Sequence, residues 1–128
     1  MFFKETWVSI TDGTNIQWIK IFHLYKGFYR KFSNISFFIK GTSKVVDSPR
    51  IEYKGFKYKF SIKGDINRVL LIRSYKNNFF FDNSYISITY NSGIILKKKY
   101  NLRSKFLYGP ISYNIYRKKI TSLYQNIL

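Results

Sequence analysis

The chain has 128 residues, with 23 lysines and arginines against 6 acids, a formal net charge of +17, and neither cysteine nor alanine. That length is enough for one domain with a real core and no disulfide or metal staple, so residues 1–128 are expected to form a single unit: a body over 1–108 and a short helical segment over 109–128. Charge of one sign strains a compact monomer unless a polyanion screens it, and the expected partner is a polyphosphate rather than a membrane. The longest apolar run, Val69-Leu70-Leu71-Ile72, is closed by arginines and falls far short of the ~20 residues of a span, while the cations recur between strand-like segments rather than along one amphipathic helix.

Beta-branched and aromatic runs broken by Asn, Asp, Gly and Ser clusters predict strands almost throughout. A first strand covers Trp7 to Ile10 and ends at the turn-prone Thr11-Asp12-Gly13-Thr14-Asn15. A second covers Ile16 to Tyr25, so uniformly apolar that it is expected to be central with no exposed face. Ile35 to Lys40 follows, then a polar stretch from Gly41 to Arg50 that reads as an exposed loop containing Pro49. Glu52 to Ile62 alternates as a strand, Lys63-Gly64-Asp65 makes a turn, and the next strand runs from Arg68 to Tyr75. Tyr85 to Tyr90 alternates again, with Ile86, Ile88 and Tyr90 on one face, and Gly93 to Leu96 adds a short strand. Beyond Gly109-Pro110 the positions of Ile111, Ile115 and Leu123 predict one or two short helices. Several short antiparallel strands must hide their edges, so the expected fold is mainly β, a small closed five-stranded β-barrel with one or two short C-terminal helices.

The residues of catalysis are missing from this pattern. The single histidine, His23, lies in an apolar strand and has no cysteine or second histidine beside it, so zinc ligation, which needs three or four convergent groups, is excluded. Asp12, Asp65 and Asp82 each sit beside Gly or Asn and read as turn caps. With no phosphate loop, serine elbow or dinucleotide fingerprint, no catalytic residue, cofactor or metal is assigned, and the protein is not read as an enzyme.

The cations carry the functional signal. After Asp82 no acid appears while Lys97, Lys98, Lys99, Arg103, Lys105, Arg117, Lys118 and Lys119 accumulate. With Lys44, Arg50, Lys54, Arg73 and Lys76 from the preceding loops and strand flanks, they form the expected RNA-binding set. Such groups contact phosphates and fix affinity and position rather than sequence. Tyr100, Tyr108, Tyr113 and Tyr116 lie near enough to the cations to stack on unpaired bases, or else to pack. On these features alone a free single-strand-binding barrel, or a basic protein on an anionic membrane, stands beside a structural RNA-binding protein.

A motif series separates them. Lys63-Gly64-Asp65, Arg68, Val69 to Ile72 and Arg73-Ser74-Tyr75-Lys76 resemble the central strand and flanks of the universal large-subunit ribosomal protein family number fourteen. Asp82-Asn83-Ser84-Tyr85-Ile86, Asn91 and Ile94-Ile95 continue the match, as do Leu107-Tyr108-Gly109-Pro110-Ile111 and the closing Thr121-Ser122-Leu123 through Ile127-Leu128. Asp12-Gly13-Thr14-Asn15-Ile16 matches more loosely. Asn83 stands where the family has a turn glycine, Ser33-Asn34 where it has glycine and aspartate, Phe106, Tyr113 and Asn114 where it has arginine, arginine and glutamate, and Thr42 to Ile62 is longer by several residues.

The resemblance implies a five-stranded barrel with small C-terminal helices, bound to large-subunit ribosomal RNA near the intersubunit face. It implies neighbouring large-subunit proteins, small-subunit rRNA across an intersubunit bridge, and a docking site for a ribosomal silencing factor. Phe, Tyr, Met, Ile, Asn and Lys fill 71 of 128 positions, and their codons are rich in A and T. The amino end lacks a signal peptide's apolar core, and its Glu5 is foreign to a presequence. Both point to a gene translated inside an organelle, a mitochondrion ahead of a plastid.

Overall fold

A computed structural model describes residues 1–27, 29–48, 61–111, 115, 118–122, 124 and 126–127. In chain order its strands are β1 (Phe2–Phe3), β2 (Trp7–Ile10), β3 (Ile16–His23), β4 (Phe32–Ser33), β5 (Phe38–Val46), β6 (Ile66–Arg73), β7 (Asn78–Phe79), β8 (Tyr85–Ile86), β9 (Ser92–Leu96), β10 (Phe106–Leu107) and β11 (Asn126–Ile127), with a single helical turn, α1 (Lys118–Thr121), before the last. Five of them close a barrel in the order β2-β3-β5-β6-β9. The seam is the parallel pairing of β2 with β9, Ser9 opposite Ser92 and Ile10 opposite Gly93. Closure removes the open edges that short strands otherwise present.

Alternation dictates what fills the barrel. Val8, Ile16, Ile19, Ile21, Ile39, Val69, Leu71 and Ile95 form one buried cluster, joined by Phe2 and Leu24. The opposite faces of β6 and β9 are buried too: Leu70, Ile72, Ile94 and Leu96 pack with Leu107, Ile115 and Tyr124, and Ile111 and Ile120 lie against them. The C-terminal segment therefore covers one outer side of the barrel. This explains the unbroken apolar run of β6, which is covered on both faces as strands of buried sheets are.

Three expectations are corrected. β3 alternates, with Ile16, Ile19 and Ile21 inside and Gln17, Trp18, Phe22 and His23 exposed, so it does have an outer face. Three register irregularities against β5 break the sequence rhythm and hide the alternation. Gly41 to Val46, read as loop, continues β5. Gly41 lies where β5 crosses β3: a Cβ there would collide with Ile19 Cγ2 and lie 2.9 Å from the Lys20 carbonyl oxygen, so the glycine serves close strand approach and not a turn. Of Tyr85 to Tyr90 only Tyr85–Ile86 is strand, paired with β7 in a separate ribbon, Phe79 opposite Tyr85.

Beyond Pro110, Ile111 and Ile115 pack on the barrel without helical backbone, and among the described residues the helical part is the one turn of α1. The strand expected over Glu52 to Phe60 lies outside the described residues, while Ser61 and Ile62 are not in a strand.

The turn carboxylates behave as read. Asp65 Oδ2 accepts from Ile62 N, and Asp82 Oδ1 accepts from Ser84 N and Oγ. Asp12 does more than cap. Its Oδ1 accepts from Thr14 N and Oγ1, and its Oδ2 reaches across to Ile95 N at 2.9 Å. The β2–β3 turn is thus tied to the middle of β9, and burial raises the carboxyl above its ordinary value although the Thr14 and Ile95 bonds oppose the shift.

Candidate nucleic-acid interface

β9 ends at Leu96, and after Lys97 the chain turns through a 3-10 turn at Lys98–Tyr100. The loop is closed by Lys97 N donating to the Asn101 carbonyl at 2.7 Å and by a bridge between Leu96 and Leu102. Lys99 and Tyr100 both take left-handed backbone, φ 60° and 61°, a sparsely populated conformation for L residues that tertiary contacts must hold. Those contacts are visible. The Tyr100 ring lies 4.6 Å from that of Phe38, and the Arg68 guanidinium sits 4.5 Å over it.

The cluster continues across the outer surface of β3, β5 and β6. Arg68 Nε donates to the Tyr25 hydroxyl at 3.3 Å, Lys40 Nζ lies 5.4 Å from the Tyr25 ring, and His23 meets that ring edge-on at 4.9 Å. Lys40 and Arg68 are register partners. The result is a strip of interleaved cations and rings, His23, Lys40, Tyr25, Arg68, Tyr100 and Phe38, beside the exposed Lys97 and Lys99. Tyr25 and Tyr100 each hold a cation near the ring, an interaction worth about 0.5–1 kcal/mol at exposed sites, and so pre-arrange charge that would otherwise sample many rotamers.

A second cluster follows β3. Tyr25, Lys26 and Gly27 are successively left-handed (φ 56°, 59° and 101°), reversing the chain so that Lys26 Nζ and the Arg30 guanidinium lie 5.1 and 4.5 Å from the Phe37 ring. Beside them lies a shallow, open depression lined by Tyr29, Arg30, Lys31, Phe32, Asn34 and Phe37.

The residues expected from sequence do not form one patch. Lys97, Lys99 and Lys105 are exposed on the β9–β10 connection, where Arg103 is half-buried and donates to Asn67 Oδ1 at 3.2 Å. Lys44 is exposed on β5, Lys76 follows the far end of β6, and Lys119 is exposed on α1. Lys98 and Lys118 are placed by backbone in the 3-10 turn and in α1. Arg50, Lys54 and Arg117 lie outside the described residues.

Arg73 is a correction. It is 1% exposed, and its guanidinium donates to the Pro110 carbonyl at 2.7 Å, the Tyr108 carbonyl at 2.5 Å and the Tyr90 hydroxyl at 2.9 Å. Burial pulls its pKa below the usual arginine value, against the influence of Tyr90. Gly109, between the two accepting carbonyls, has φ +86°, and a Cβ there would lie 2.7 Å from the guanidinium. Arg73 holds the Gly109-Pro110 bend onto the barrel and is not available to a phosphate.

Sequence reasoning missed Lys26, Arg30, Lys31, Lys40 and Arg68. A signal for the first three was present: Tyr25-Lys26-Gly27-Phe28-Tyr29-Arg30-Lys31 interleaves three cations with three aromatics, the composition of a surface that stacks bases and neutralises phosphates. Lys40 and Arg68 become neighbours only through strand register.

Among the described residues no group of three or more His, Cys, Asp or Glu converges to hold a metal. A small closed barrel whose outer surface interleaves cations with aromatic rings belongs to the class of compact β-barrel modules suited to polyanions. A family model described as Ribosomal protein L14p/L23e matches residues 1–128. The chain is 34% identical over 116 residues to "Large ribosomal subunit protein uL14m" of Tetrahymena pyriformis, an alignment covering 91% of this chain and 90% of that protein. The chain belongs to the ribosomal protein L14p/L23e family.

Proposed function

We propose that this large-subunit ribosomal protein works in a mitochondrial ribosome, where it has a structural role and performs no catalysis. Its cations neutralise phosphates of large-subunit rRNA, with the Lys97–Lys105 loop and the Lys40–Arg68 strip as the principal contacts. The carrying observation is the family match along the whole chain, and the strip supports it by giving a phosphate backbone fixed positive charge with rings beside it. The mitochondrial setting is supported by the uL14m relative, a mitochondrial ribosomal protein.

In this reading the protein lies near the intersubunit face, beside other large-subunit proteins. It contributes to a bridge with small-subunit rRNA and offers a surface to a silencing factor. Sucrose-gradient sedimentation of mitochondrial extract at moderate salt tests the assignment. The tagged chain is expected to co-migrate with large subunits. Finding it at the top of the gradient, with cooperative binding to generic oligonucleotides, would instead make it a free single-strand-binding barrel.

A further inference from the structure

The surface of this polycation is not uniform. Asn77 to Leu96 is twenty consecutive residues with one acid, Asp82, and no lysine or arginine, in a chain carrying 23 of them. Much of that stretch projects from the barrel as the β7–β8 hairpin, and it exposes rings: Phe81 entirely, Phe79 to 67% and Tyr85 to 58%. Phe79 and Tyr85 are cross-strand partners with ring centroids 5.6 Å apart.

The hairpin has a built turn. Phe80 N donates to the Ser84 carbonyl at 2.9 Å and Asn83 N to the Phe80 carbonyl at 3.2 Å. Asn83 takes the left-handed corner at φ 65°, and Asp82 is kept ionised by the Ser84 hydroxyl and amide. Its base is fixed by Asn91 Oδ1 accepting from Tyr75 N at 2.8 Å and by the Arg73–Tyr90 bond. The rings are therefore displayed on a defined scaffold, and exposed aromatic clusters of this kind mark interaction sites.

Charge decides the occupant. A phosphate backbone brought against the hairpin itself meets one carboxylate and no cation of its own, Lys76 lying at its base two residues before β7. A lysine- or arginine-rich protein segment, repelled by the rest of the chain, meets here ring faces that attract cations and the Asp82 charge, on a ribbon that is two-stranded among the described residues.

We infer that the β7–β8 hairpin is a protein-docking surface whose occupant is a lysine- and arginine-rich segment of a neighbouring protein, seated over Phe79, Phe81 and Tyr85 with a cation at Asp82. The inference rests on the ribosomal reading only for where that neighbour is found. The hairpin lies outside both buried clusters of the barrel, so substitutions in it leave the fold intact, which circular dichroism verifies.

The test uses the purified full chain and a fluorescent arginine–glycine repeat peptide at about 0.15 M salt, where surface charges beyond ~8 Å are screened. Saturable binding is expected. Phe79→Ser and Phe81→Ser should weaken it about tenfold each, Asp82→Asn about threefold, and Phe81→Trp should retain it, while oligouridylate binding stays unchanged in all four variants. No peptide binding by the wild type, binding indifferent to the variants, or variants that lose oligouridylate instead would each overturn the inference. Absence of the chain from large subunits on the gradient refutes the ribosomal assignment alone and leaves the peptide result standing.

Discussion

Replacing Arg73 by methionine removes a guanidinium while keeping most of the side chain's apolar length. Two carbonyls and the Tyr90 hydroxyl then lose their donor in a site where Arg73 is almost completely buried. Tyr90, Tyr108 and Pro110 are partly exposed, so each acceptor left without its donor costs about 1 kcal/mol, the low end of the range for a buried group, and relief from burying a cation offsets part of that loss. The net destabilisation expected is somewhat under ~3 kcal/mol, a large fraction of the ~5–15 kcal/mol total of a typical domain, with a fall in Tm on the order of 10 °C. Arg73→Lys, with one ammonium in place of a planar fork, should fall between methionine and wild type.

Urea unfolding gives the magnitude, and limited proteolysis after Tyr108 reports release of the C-terminal segment. RNA affinity measured against salt supplies the refutation. If Arg73→Met folds as stably as wild type but flattens the salt slope by roughly 0.7–0.9, Arg73 contacts phosphate and the clamp described here is wrong.

Gly41→Ala should lower stability by about 1–3 kcal/mol through overpacking, since its Cβ meets Ile19 and the Lys20 carbonyl; thermal melts followed by circular dichroism read it. Burial raises the Asp12 carboxyl above its ordinary 3.8, so the folded chain holds that proton more tightly than the unfolded one, and this group's contribution to stability falls as pH rises through and above 3.8. Asp12→Asn should abolish that component of the pH slope in urea midpoints while costing about 1–2 kcal/mol, because an amide cannot accept from both Thr14 and Ile95 without turning its NH₂ toward a donor. Lys97→Gln, Lys99→Gln and Lys105→Gln should each flatten the salt dependence of RNA binding by roughly 0.7–0.9 with no change in melting temperature. Wild-type stability itself should increase between low and moderate salt, as screening relieves the repulsion of 23 cations against 6 acids.

The barrel was legible because most of its strands are short apolar runs with turn chemistry between them, and Val69 to Ile72 announced the strand covered on both faces. β5 was truncated because Gly41 carries the same letter in a turn as at a close crossing; only the position of Ile19 distinguishes them. Tyr85 to Tyr90 has a true alternation, but alternation does not say whether a partner exists to cover the apolar face, and here none of the barrel strands does. The spacing of Ile111 and Ile115 fits a helix equally well as a segment lying across β6 and β9. Arg73 was read as a surface cation because it closes an apolar run, whereas its partners Tyr90, Tyr108 and Pro110 lie 17, 35 and 37 residues away and enter only with the fold. The candidate strip was half legible: charge density pointed to Lys97–Lys105, and strand register alone brings Lys40 and Arg68 beside it.

β6 organises the surface chemistry at both of its ends. Arg68, near its start, faces the cation–aromatic strip, Leu70 and Ile72 carry the C-terminal segment, Arg73 locks the Gly109-Pro110 bend, and the cation-free hairpin follows its end. At ~3.3 Å per residue the strand spans on the order of 25 Å, about three Debye lengths at physiological salt. Phosphates held at the strip therefore exert little direct electrostatic effect on the hairpin, although the two differ sharply in the charge they favour. Sites so separated contribute additively unless a shared element moves, and β6 is pinned by ladders to β5 and β9 on either side. On the two proposals above, the barrel is a rigid spacer that lets one strongly charged chain present the proposed polyanion surface and the proposed surface for basic protein without either compromising the other.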